Sequence, residues 1–182
     1  MCIRDSDNTN GILSSDKNYT DMEHKWDEAF GYLYGQVDNA KTTDLSTNLS
    51  STGTTLFKYL TKIEGSNDPG IAKRIFDAFK LGRAAIVAGA YDVRDAQANI
   101  LKIQLSKVIG YKSVDYLEGY MSKMSAGNTA DAFHALSEGY GFIMSLQFTN
   151  DGNDAPYFTK AEVDGMLSKL SNIWNVNNSD LT

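Results

Sequence analysis

Apolar residues recur at three- and four-residue spacing over most of the chain, and few stretches alternate with period two, so the pattern predicts helices almost throughout. The first is expected to start at about Asp21, because Thr20-Asp-Met-Glu23 is a capping box. On it Met22, Trp26, Ala29, Phe30, Leu33 and Val37 form one apolar stripe. Leu56 to Ile63 reads as a short helix, ended by Gly65 and the Asn-Asp-Pro-Gly turn at 67–70. Ile71 to about Gln104 keeps helical spacing throughout (Ile71, Ile75, Phe79, Ile86, Ala90, Leu101) and reads as one helix. Gly82, Gly89 and Ala84-Ala85 give it a small-residue face. Gly110 is expected to separate it from a helix in which Val114, Leu117, Met121 and Met124 form a 3-4-3 seam, ended by Ala126-Gly127. Asn128 or Thr129 then caps a helix with the stripe Phe133, Leu136, Tyr140 and Ile143. A second capping box, Thr159-Lys-Ala-Glu162, opens the last helix, whose apolar face is Val163, Met166, Leu167, Leu170 and Ile173. Asp7–Lys17, Asp38–Thr54 and Thr149–Tyr157 carry the polar and turn residues of loops. The sum is an all-α bundle of about five or six antiparallel helices.

Composition narrows the class. In 182 residues a hydrophobic share of 42% is enough for a core, and a net charge of −6 argues against nucleic acid or an anionic membrane surface as partner. No apolar run reaches the length of a membrane span. The opening Met1–Ser6, MCIRDS, is what one reading frame of a sequencing-library adapter encodes, so it is expected to be an assembly scar, with residues 7–19 a linker. Cys2 falls inside it, and no disulfide scaffold is expected. The domain proper is expected over 20–182, as a fragment truncated at both ends.

Candidate chemistry lies in a stretch that occurs twice. His24–Gly35, HKWDEAFGYLYG, aligns without a gap to His134–Ser145, HALSEGYGFIMS, and the protein has only 2 histidines, one opening each copy. On a helix, His and the Glu four residues later (Glu28, Glu138) share a face. Gly31 and Gly141 follow on that face, with Gly35 and Ser145 one turn on, as places for close backbone approach. Imidazole and carboxylate suit zinc, iron, manganese or copper, so the two pairs read as duplicated halves of a metal site. The plainer reading makes each a hydrogen-bonded pair that locks helices together. Arg83, among small residues, needs either a partner, with Glu28 and Glu138 as candidates, or a path outward to solvent. Trp26, Phe30, Tyr140 and Phe142 read as core. The loop Asn150-Asp-Gly-Asn-Asp154 lacks the downstream Glu of a calcium loop. No P-loop, dinucleotide fingerprint, CxxC, nucleophile elbow or HExxH is present, and no catalytic residue is assigned.

Four segments in order carry a family resemblance: HKWDEAFGY from His24, Arg83-Ala-Ala-Ile-Val-Ala-Gly89, HALSEGYGF from His134, and PYFTKAEVD from Pro156. Together they resemble the bacterial domain of unknown function 4856, which is similar to the imelysins. The resemblance covers roughly Tyr19 to the C-terminus. It implies an imelysin-like helical bundle with an internal pseudo-two-fold repeat, in a secreted or lipid-anchored protein of the cell envelope. Imelysins are associated with iron acquisition and carry a Gly-x-His-x-x-Glu motif thought to bind metal. Here Met22 stands two before His24, Asp27 and Ser137 stand at +3, and Glu is at +4 in both copies. The expected function is therefore a non-catalytic, iron-related metal-binding envelope protein. Its ligands for a divalent transition metal, iron or zinc, would be His24, Glu28, His134 and Glu138, with Asp27 as a further candidate. The partners would be the metal and other envelope proteins. The alternatives are a structural or adhesive surface module and, more remotely, a metallohydrolase.

Overall fold

The computed structural model describes residues 3–35, 44–47, 49 and 56–174. Among them are seven α-helices and one 3-10 turn: α1 (Ile3–Thr9), α2 (Asp21–Tyr34), α3 (Leu56–Ser66), α4 (Ile71–Val87), α5 (Tyr91–Ser125), α6 (Thr129–Ser145), the 3-10 turn Leu146–Phe148, and α7 (Lys160–Trp174). The only extended pairing among the described residues is an isolated bridge between Leu13 and Thr20. The chain divides into two compact helical units, Met1–Gln104 and Leu105–Thr182, and α5 runs through the boundary.

In the first unit α2 packs against α1, α3 and α4, and α3 against α4. The expected capping box starts α2: Thr20 Oγ1 accepts from Glu23 N at 3.3 Å, and Glu23 Oε2 accepts from Thr20 N at 2.8 Å. Leu33, Phe57, Leu60, Ile63, Ile71, Ile75 and Ile86 are buried together with an aromatic group centred on Tyr34, which meets Phe30, Phe57, Phe76 and Phe79. Ala29, expected in the α2 stripe, is exposed, and Tyr34 takes a core place instead. Val37 lies outside the described residues. Glu64 of α3 accepts from Gly70 N at 2.7 Å and Ala72 N at 2.8 Å, satisfying donors that the first turn of α4 cannot pair internally.

Helix α1 occupies part of the stretch expected to be loop. Polar bonds tie it down: Arg94 Nη1 to Asp5 Oδ1 at 2.6 Å, Tyr91 Oη donating to Asp5 O at 2.9 Å, and Asn8 Nδ2 donating to Ile86 O at 2.9 Å. The last of these pairs a carbonyl at the end of α4. The helix expected from Ile71 to Gln104 is two helices. Gly89, at φ 68°, closes α4 in a Schellman arrangement, with Ala90 N donating to Ala85 O (2.8 Å) and Gly89 N to Ile86 O (3.1 Å). Gly110, expected as a separator, lies inside α5, where a helical glycine costs about 1 kcal/mol and is tolerated.

In the second unit the 3-10 turn and α7 pack against α6. Leu136, Ile143, Leu146, Val163 and Leu170 form its core, with Phe133, Tyr140, Met166, Leu167 and Ile173 packed around them, as the apolar faces predict. Gly139 permits the approach of α5: a Cβ there would lie 3.2 Å from Tyr116 Cβ. Tyr116 stacks on Phe142 at 5.4 Å. The seam expected on α5 is largely outward-facing, with Val114, Met121 and Met124 all exposed.

Candidate functional site

Each copy of the repeated stretch forms one helix, so the four-residue spacing brings each His to its Glu. On α2, His24 Nε2 lies 2.9 Å from Glu28 Oε1, with 41% and 36% of the two side chains exposed. Tyr19, just before the helix, stacks on the imidazole with centroids 5.0 Å apart and planes 13° apart. Lys25 Nζ bonds the other carboxylate oxygen, Glu28 Oε2, at 2.8 Å. That ammonium, with His24 adding to it, holds the Glu28 carboxyl below the usual carboxylate range. On α6 the pair is looser: His134 Nε2 to Glu138 Oε1 is 3.8 Å, and the imidazole is 71% exposed.

Each pair closes within its own helix, so neither acts as the expected lock between helices. The glycine face also differs from expectation: Cβ atoms built at Gly31 or Gly141 would meet nothing within 4 Å. Close approach occurs instead at Gly82, under the Trp26 ring, and at Gly139. Gly35 ends α2 at φ 67°.

Arg83 does not pair with Glu28 or Glu138. Its Nη1 reaches Glu23 Oε1 and its Nε reaches Asp27 Oδ1, each at 2.9 Å. Asp27 is thereby committed to a structural ion pair between α2 and α4. Glu23 has two roles, capping α2 and anchoring Arg83. The backbone N–H of Thr20 and then the Arg83 guanidinium hold its carboxyl low, against the opposing effect of burial. Glu23 and Asp27 are four apart on one helix, a spacing that could have pointed to a shared cation. In the loop at 150–154, Asp151 Oδ1 accepts from Asn153 N (2.7 Å) and Asn150 Oδ1 from Gly152 N (2.8 Å), so those side chains brace the turn itself.

The family model of the domain of unknown function DUF4856 matches residues 3–182, the four sequence segments included. The chain belongs to the DUF4856 family. No curated protein and no solved structure matches it. Among the described residues of this DUF4856 chain, no group of three or more His, Cys, Asp and Glu side chains is gathered in metal-holding geometry, and no helix is long and apolar enough to cross a membrane. Among the described residues each His/Glu pair thus offers two donors. Tyr19 and Lys25, which set the environment of the first pair, had no signal in the sequence beyond proximity.

Proposed function

We propose that the chain is a non-catalytic, imelysin-like binding module of the cell envelope, in which His24 and Glu28 seat a divalent transition metal such as iron or zinc. The supporting observation is the 2.9 Å separation of Nε2 and Oε1 on an accessible face of α2. Two donors each ~2.1 Å from one metal ion stand ~3.0 Å apart at octahedral and ~3.4 Å at tetrahedral angles. The pair therefore needs to open by about half an ångström at most. Tyr19 restricts the imidazole, which lowers the ordering cost of binding. His134 and Glu138, wider and more exposed, make a weaker seat. Asp27 stands outside the ligand set because Arg83 holds it. With two protein donors, water or other groups complete the coordination. The envelope location and the iron context rest on the imelysin resemblance.

A second reading, a structural module with no metal, is favoured by Lys25, which already neutralises Glu28. In that case the pairs are staples that only reinforce their own helices. Melting curves of the whole chain with zinc or ferrous ion decide between them. The metal reading expects about 2.7 kcal/mol of stabilisation at a hundredfold excess over Kd. His24→Ala should remove it, and His134→Ala should retain most of it. A wild-type melting temperature indifferent to metal gives the staple reading. Complete loss in both single variants would instead mean that all four side chains share one ion.

A further inference from the structure

The two copies of the His/Glu stretch differ in what surrounds the carboxylate. In the first copy Lys25 follows His24, and in the second Ala135 holds the aligned position. Lys25 is exposed, and its Nζ lies 2.8 Å from Glu28 Oε2, while His24 Nε2 lies 2.9 Å from Oε1. One carboxylate is thus shared, oxygen by oxygen, between an imidazole and an ammonium. Ala135 is 2% exposed and brings no cation to Glu138. The surroundings of His24 also decide which ligand has to move when a metal enters. Tyr19 stacks on the imidazole with centroids 5.0 Å apart and restrains that ring. The opening of about half an ångström at most therefore falls on Glu28, whose second oxygen Lys25 holds. An ion ~2.1 Å from Nε2 and Oε1 would have the ammonium about 5–6 Å away, across the same carboxylate. At that separation, in water and about 0.1 M salt, a unit charge opposing a divalent ion changes its affinity by about three- to tenfold.

We infer that Lys25 is a built-in competitor for the metal at His24 and Glu28, restraining the carboxylate and opposing the ion, so that it sets the affinity of the first seat. The inference rests on the metal reading proposed above.

Calorimetric titration of zinc ion into the whole chain, with Lys25→Met, Lys25→Arg and each of these combined with His24→Ala, tests it. Lys25→Met should tighten zinc by about three- to tenfold near 0.1 M salt, and the gain should shrink near 0.5 M as the charge is screened. Lys25→Arg keeps the charge and should stay within about twofold of wild type. His24→Ala should abolish the binding at this seat in every background. A Lys25 that merely staples α2 predicts a slightly lower melting temperature for Lys25→Met with zinc affinity unchanged, and that result overturns the inference. So does weaker zinc binding in Lys25→Met, or a gain that Lys25→Arg reproduces. Zinc binding that depends on His24 and ignores Lys25 overturns the inference alone. No zinc binding that depends on His24, in wild type or in any variant, overturns the metal reading and the inference together.

Discussion

Replacing Gly82 by alanine should destabilise the first unit, although alanine is the better helix former. A Cβ at Gly82 would overlap Cζ2 and Cη2 of Trp26 and lie 3.0 Å from Cε2. The indole cannot swing aside freely. Its Nε1 donates to Phe79 O at 2.9 Å, and its ring meets Phe79 edge-on at 6.0 Å. If the ring stays, overpacking costs about 1–3 kcal/mol. If it leaves, it forfeits about 1 kcal/mol of hydrogen bond, about 0.5–1.5 kcal/mol of aromatic contact, and buried apolar area besides. Helix propensity returns about 1 kcal/mol. The net expectation is a loss of about 0.5–2 kcal/mol, which lowers the urea midpoint by roughly 0.5–1 M. The protein has 2 tryptophans, so a Trp174→Phe background leaves Trp26 as the sole reporter of this unit. Its emission should move to the red in the native baseline of Gly82→Ala. An unchanged or raised midpoint with unmoved Trp26 emission would refute the packing argument and leave propensity in control.

Two further substitutions probe buried and paired polar groups. The Tyr34 hydroxyl is buried without a hydrogen-bond partner among the described residues, and burial, with Asp44 adding to it, pushes the phenol pKa up. Tyr34→Phe should therefore be neutral or up to about 1 kcal/mol more stable by thermal melting, whereas a loss greater than that would reveal a bond to the hydroxyl. Arg83→Met should cost about 1 kcal/mol at pH 7, since the ion pairs with Glu23 and Asp27 are only partly buried. Because the Glu23 carboxyl is held below its ordinary 4.5, its contribution is complete above that pH and is lost as pH falls through the lowered value. The gap between wild type and Arg83→Met, measured by urea titration, should thus shrink below pH 4.5, and a gap that widens in acid would contradict the assignment.

Features governed by neighbours within one turn were legible in the sequence. Both capping boxes, the apolar face of α7 and the His/Glu contacts follow from helix geometry, because residues three and four apart must meet wherever the helix forms. The family was also legible, from four short segments in order. Glycine shows where such reasoning ends. Gly89 takes a left-handed conformation and ends α4, Gly110 stays helical inside α5, and Gly82 lies beneath an indole. The residue type permits all three outcomes, and what packs beside each decides among them. The ion pairs behave likewise. Arg83 bonds residues 60 and 56 positions away, Glu23 and Asp27, and passes over Glu28. All three carboxylates lie on α2, but the angular position of α4 presents the guanidinium only to the face that Glu23 and Asp27 share. Spacing sets which side chains share a helix face, whereas the packing of helices distant in sequence selects the face that meets a partner.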